Sequence, residues 1–235
     1  MTRKNFLFVL MALSVLMVGC EFDKPTGDGV FSVSSTQQVR FASGNLVYDS
    51  VAKAYGFAQH QYDYGDYFRW NTGSNPLTLD FDFIYGYDSI DDWGSHIVGG
   101  WRTLTAEEWR YVIGSRSNYD ELCASATVCD VPGMVLMPDN FQGYVNTNRW
   151  TYSDNEYDAE EWAEMEAAGC VFLPAAGYQE SDSRVTIERD KSGRYWSIST
   201  DGSLFVYELW FSGLFDDVQY STPKYGNSVR LVKNI

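Results

Sequence analysis

The chain has 235 residues, 32 acidic against 17 basic side chains, and a formal net charge of −15. That balance argues against nucleic acid and anionic lipid headgroups as partners, because both need clustered cations on the protein. The length suits one large domain or two small ones. Aromatic residues make up 17% of the chain, so most rings must fill a core and only a few remain for ligand contact.

Arg3 and Lys4 precede an apolar run over residues 6–18. The run is shorter than the ~20 residues a membrane-spanning helix needs and reads as the hydrophobic part of a signal peptide. It ends at Gly19-Cys20, the pattern cut after acylation of the thiol. Residues 1–19 are therefore expected to be a lipoprotein signal peptide, with Cys20 the lipid attachment site and new N-terminus. Residues 20–29 are polar, carry Pro25, Gly27 and Gly29, and read as a flexible tether. No later apolar stretch approaches spanning length, so the expected membrane partner is reached through lipid alone. Glu21 and Asp23 directly after Cys20 suit a lipid-anchored protein of the cell envelope, on the outer membrane and facing outward.

From Val30 the pattern changes to alternation, giving strands over 31–34, 39–41 and 45–48. Residues 55–100 are rich in Gly, Asp, Asn and aromatics, with little helical period, and predict short strands among ordered turns. Thr105 and Glu108 form a T-x-x-E capping box. Leu104 and Trp109 staple that helix start, and Trp109, Val112 and Ile113 share one face. A second helix is predicted over 159–168, capped by Asp158, with Glu161 three residues on and Gly169 as its stop. Strands follow over 170–174, 194–197, 204–211 and 228–232. Helices in the middle and strands at both ends predict an α+β domain over 30–235.

Four segments in this order resemble one family. They are Gly100-Trp101-Arg102-Thr103-Leu104-Thr105-Ala106-Glu107-Glu108-Trp109, the stretch from Met165 to Tyr178, Gly193-Arg194-Tyr195-Trp196-Ser197, and the terminal Gly226-Asn227-Ser228-Val229-Arg230-Leu231-Val232. Together they are similar to the formylglycine-generating-enzyme (sulfatase-modifying-factor) branch of the C-type lectin-like fold, as carried by bacterial surface lipoproteins. The resemblance implies paired terminal strands, two helices flanking the sheet, and irregular loops on one side that hold a ligand. It also implies where chemistry would sit, and the residues do not supply it. The family's redox cysteine pair lies late in the domain, whereas here no cysteine follows Cys170. Its iron enzymes use a histidine cluster, whereas this chain has only His60 and His96. No G-x-S-x-G marks a serine nucleophile. The expected cofactor set is thus empty apart from calcium.

Asp154, Glu156 and Asp158 place oxygens at alternate positions and are the candidate Ca2+ ligands. The preference for acids at a helix start accounts for the same run. Asp80, Asp82, Asp88, Asp91 and Asp92 read as solvated turn residues. Trp70, Trp93, Trp150 and Tyr220 lie in turn-rich stretches and are the candidate ligand contacts. Trp101, Trp109, Trp162 and Trp196 sit in the family-like segments and read as core. Cys123 and Cys129 are close enough in sequence to close a loop disulfide or to remain free, and Cys170 reads as a buried thiol.

These observations predict a non-catalytic, lipid-anchored envelope protein whose domain binds an extracellular glycan or protein. One alternative is an enzyme using paired carboxylates on extracellular polysaccharide. The other is a structural subunit of a surface appendage built by strand donation.

Overall fold

The computed structural model describes residues 29–78, 90–147, 151–180, 183–202, 205–213 and 216–235. Cys20, the signal peptide, most of the tether, Trp150, Asp80, Asp82 and Asp88 lie outside the described residues. The class is α+β: two α-helices among many short strands in several sheets. No helix of the described residues is long and apolar enough to cross a membrane.

Both helices form where their caps are written. α1 (Ala106–Gly114) starts from Thr105, whose side chain accepts from the Glu108 backbone while Glu108 reaches back, a complete capping box. α2 (Ala159–Ala167) starts from Asp158, which accepts from the amides of Glu160 and Glu161 while Glu161 returns the bond. Beyond α2, Gly169 takes a positive φ of 88°. Its backbone meets that of Gly29 so closely that a Cβ on either would overlap the other's backbone. The start of the domain is thereby pinned to the end of α2.

The terminal strands do pair. Gln38–Phe41 and Val232–Asn234 run antiparallel at the centre of a sheet flanked by Phe31–Ser32 and Trp101–Arg102. A second sheet holds Val171–Pro174, Val131–Leu136, Cys123–Val128 and, parallel to the last, Glu156–Tyr157. A third sheet, Ser192–Thr200 with Val206–Ser212 and Asp216–Ser221, packs against α1. The principal core lies among α1 and these three sheets, with Phe41, Trp109, Leu136, Leu173, Tyr195 and Phe211 buried in it. Trp162 of α2 packs against Phe172 on the other side of the second sheet.

Two expectations need correction here. The stretch after Cys123 is not a disulfide-closed loop but the first arm of a hairpin, paired residue for residue from Cys123↔Leu136 to Val128↔Val131. An extended strand advances about 3.3 Å per residue, which puts Cys123 and Cys129 near opposite ends of roughly 20 Å of chain. A disulfide needs Cα atoms within about 7 Å, so none forms, and Cys123, Cys129 and Cys170 are all outside any disulfide. Cys129 and Asp130 are instead the two turn residues, both at positive φ (49° and 66°), as a tight hairpin of this length demands. The expected strand over 228–232 is broken up as well. Gly226–Asn227 and Val232–Asn234 are strands of different sheets, and the segment between them crosses the interior.

That crossing carries a fully buried Arg230. Its guanidinium donates to Asn45 Oδ1 (3.0 Å), the Ala42 carbonyl (3.0 Å), Gln61 Oε1 (3.4 Å) and the Phe172 carbonyl (2.7 Å). Burial pulls this group down to about 10. Asn45 extends the network to the Tyr64 carbonyl and Tyr195, and the Tyr195 hydroxyl donates to the Pro174 carbonyl. One cation thus ties the carbonyls of Ala42 and Phe172, remote in sequence, to the side chains of Asn45 and Gln61.

Candidate functional site

The site is built on the hairpin Leu46–Asp49 and Ala54–Phe57, beside a small sheet of Phe68–Arg69, Gly226–Asn227, Tyr178–Gln179 and Thr186–Ile187. The hairpin turn is local chemistry: the Asp49 carboxylate accepts from the amides of Val51 (2.8 Å) and Ala52 (3.0 Å). Those bonds hold its carboxyl below the usual range. Asp66 then ties the next segment to the hairpin, accepting from the Tyr48 amide at 2.7 Å.

Between these elements lie two adjoining cavities of about 260 Å³ and 450 Å³ that share Tyr48 and Pro76 in their walls. The smaller is lined by Asp66, Phe68, Arg69, Gln179 and Arg184, the larger by Lys53, Tyr55, Ser74, His96 and Val98. Arg69 is 4% exposed and donates toward the Glu180 carbonyl (3.4 Å), and Arg184 donates to the Leu77 carbonyl (3.2 Å). Both guanidiniums are therefore steered by backbone while still lining the cavity.

Behind Ser74 and His96 in the wall of the larger cavity lies Asp91. Its carboxylate accepts from the Ser74 amide (2.6 Å) and meets His96 Nε2 (2.6 Å), while its own amide donates to Asn71 Oδ1 (2.5 Å). Burial raises the Asp91 carboxyl, but the hydrogen bonds from His96 and from Ser74 outweigh it and leave it below the usual range. Tyr55 donates to the Gly73 carbonyl (2.7 Å), and burial pushes its phenol up, so it stays a neutral donor. Asp92 accepts from the Thr103 amide (3.0 Å) and hydroxyl (2.7 Å). Asp91 and Asp92, expected as solvated turn residues, are instead the struts of this wall. Serine, histidine and aspartate do meet here, but the Ser74 and His96 bonds both end on Asp91, so no serine is poised on an imidazole base.

The expected aromatic contacts divide. Trp70 and Trp93 are both 0% exposed and cannot touch a ligand. They lie with Phe68, Trp101 and Trp196 in the cluster beneath the cleft, and Trp70 Nε1 donates to the Ser197 carbonyl (2.8 Å). Turn-rich neighbours suggested exposure, but distant strands close over both rings. Tyr220 is 59% exposed. Its ring lies 4.6 Å from Tyr207, the two hydroxyls meet at 2.9 Å, and Phe205 packs edge-on at 5.9 Å. This is an open aromatic patch, on the α1 side of the third sheet. Trp101, Trp109, Trp162 and Trp196 are core residues, as expected.

The calcium candidates do not converge. The Asp158 carboxylate is engaged by the amides that start α2, Glu156 is exposed on its short strand, and no group of three His, Cys, Asp or Glu side chains able to hold a metal occurs among the described residues. Glu156 and Asp158 instead line a separate cavity of about 480 Å³ with Cys129, Asp130 and Glu161. Cys170 is fully buried, and desolvation pushes its thiol up to about 12, consistent with an inert core residue.

Sequence reasoning passed over the cleft itself. Tyr48, Arg69, Gln179 and Arg184 carry no motif and are scattered along the chain. No protein-family model, curated protein or solved structure matches this chain.

Proposed function

We propose that this chain is a lipid-anchored cell-envelope protein, attached through Cys20, whose C-type lectin-like domain binds an extracellular glycan without turning it over. The observation that carries the reading is the paired cavity sharing Tyr48. Its walls combine the half-buried Tyr48 ring with planar hydrogen-bonding groups (Asp66, Arg69, Gln179, Arg184). Sugars need that mixture, because their C–H faces stack on rings while their hydroxyls pair with planar donors and acceptors. The terminal strand pairing and two capped helices support the lectin-like reading, since it implies both. The strand-donation alternative fits less well: the outer strand Asp216–Ser221 carries two aspartates at its start, and edge charges oppose strand addition.

Two measurements test this. A glycan array probed with the mature chain carrying Cys20→Ser should show retained saccharides and no cleavage products; saccharide cleavage would turn the reading toward the enzyme alternative. Mass spectrometry of the native N-terminal peptide should find acylated Cys20, and an unmodified peptide on a secreted form would remove the anchor.

A further inference from the structure

We infer that loop 140–144 is a membrane-contact surface, which docks the domain on the zwitterionic face of the bilayer that holds its lipid. The inference rests on the anchoring through Cys20 proposed above and names the face that the domain turns to the membrane. Its basis is the place where the tether enters. Gly29 lies backbone to backbone against Gly169 at the end of α2, and a Cβ on Gly169 would also touch the Pro138 ring. The Val30 carbonyl accepts from the Asp139 amide (2.9 Å). The Asp139 carboxylate in turn accepts from the Ser32 amide (2.7 Å) and pairs with Arg116 (3.2 Å). The entry is thus fixed beside residues 138 and 139, and the loop follows at once.

Two aromatic side chains mark this loop. The Phe141 amide donates to the Pro138 carbonyl (3.1 Å), and its half-buried ring packs on the core cluster that holds Trp162. Tyr144 is 89% exposed. Both line a cavity of about 400 Å³ together with Met165, Ala168 and Glu164. Ala168 directly precedes Gly169, so the cavity opens next to the tether entry.

Chain length brings this face to the membrane. Nine Cα-to-Cα steps separate Cys20 from Gly29, and an extended chain of that length spans at most about 30 Å. With Cys20 acylated, the entry and the loop beside it cannot leave the headgroups by more than that reach. Tyrosine suits the position, because its ring prefers the apolar side of the interface while its hydroxyl stays hydrated. So small a surface would not bring a free protein to a bilayer. On an anchored chain the tether supplies a high effective concentration, and a weak contact then suffices. Charge selects the lipid. Glu160, Glu161 and Glu164 are exposed on α2, and they oppose anionic headgroups while tolerating zwitterionic ones.

The test uses the mature acylated chain, its lipid verified by mass spectrometry, in phosphatidylcholine vesicles with and without bromine on the acyl chains. Bromine quenches an indole only at close range. Tyr144→Trp places an indole in the loop, and Val51→Trp places one on the hairpin turn beside the cleft, where Val51 is 92% exposed. Relative to the unaltered chain, the emission added at 144 should fall by at least about half on brominated lipid, as it does once the docked state outnumbers the undocked one. The emission added at 51 should not fall. Replacing part of the phosphatidylcholine by phosphatidylglycerol should reduce the loss at 144, and added salt should restore it. No quenching at 144, or equal quenching at 144 and 51, overturns the inference. Stronger quenching on the anionic vesicles overturns the assignment to zwitterionic lipid. Crosslinking from 144 to a second copy, without quenching, gives the face to self-association instead. A native chain that carries no lipid on Cys20 fails the anchoring reading first and takes the inference with it.

Discussion

The cleft beside the Leu46–Asp49 hairpin and the cavity at the start of α2 differ in how their polar groups are held. In the α2 cavity the acids have local work. Asp158 accepts from two helix amides, and Glu161 returns a bond to the Asp158 amide (2.9 Å). A carboxylate at a helix start is stabilised by amides that have no intrahelical partner. In the cleft the polar groups are arranged across segments remote in sequence: Asp66 to Tyr48, Asp91 to Ser74 and His96, Arg184 to Leu77. One cavity is a by-product of helix capping. The other is assembled by tertiary structure, and is the better candidate for selected function.

Altering each region should separate these roles. The largest effect is expected from Trp93→Ala beneath the cleft. The indole is 0% exposed and packs against Phe68 at 6.3 Å between ring centres. Truncating a buried tryptophan costs about 3–5 kcal/mol. Urea denaturation should show a correspondingly lowered midpoint and saccharide binding should be lost with it; an unchanged midpoint would place Trp93 outside the core. Asp158→Ala at the other cavity should cost less, about 1 kcal/mol within a range of 0.5–2, as for other removed helix caps. Its saccharide affinity should match that of the unaltered chain. A loss of affinity on Asp158→Ala would break the separation between the two cavities.

What could be foreseen from the sequence follows the same division between local and distant. Thr105 with Glu108 and Asp158 with Glu161 are three residues apart, so both helix starts are legible, and both helices form there. The strand Cys123–Val128 was hidden for a physical reason. It is buried on both faces at most positions, so no alternation marks it, and its turn uses Cys129-Asp130 in place of the usual Asn or Gly. Trp70 and Trp93 were misplaced because polar neighbours describe the chain and not what packs over it. Arg230 was visible only as part of a terminal segment, since its partners Asn45, Gln61 and Phe172 come from three other parts of the chain. The cleft was illegible for that reason too: Arg69 and Arg184 come from opposite edges of one four-stranded sheet, and Arg184 is held by the carbonyl of Leu77.

Acid titration offers a smaller and sharper contrast. Asp91 sits below its ordinary value because the folded state supplies His96 and Ser74 as partners. Its contribution is therefore complete above the unfolded carboxyl value near 3.9 and is lost as pH falls through the lower folded value. Thermal unfolding followed between about pH 6 and 2 should steepen below about pH 4 for the unaltered chain, and Asp91→Asn should remove part of that slope. An identical slope in the variant would mean that the cleft wall is not held by this carboxylate.

The smallest effect on stability is expected from the thiol at the other cavity. Cys129 is half-buried in its wall, while Cys123 and Cys170 are both 0% exposed. Iodoacetamide applied to the folded mature Cys20→Ser chain should therefore add one carbamidomethyl group, at Cys129, and the other two thiols should react only after denaturation. Absence of all labelling in the folded chain, together with a mass two hydrogens short, would indicate a Cys123–Cys129 disulfide. Such a bond is incompatible with the extended Cys123–Val128 strand, because it would have to draw the two ends of six paired residues together and unpair the hairpin that forms one wall of the α2 cavity.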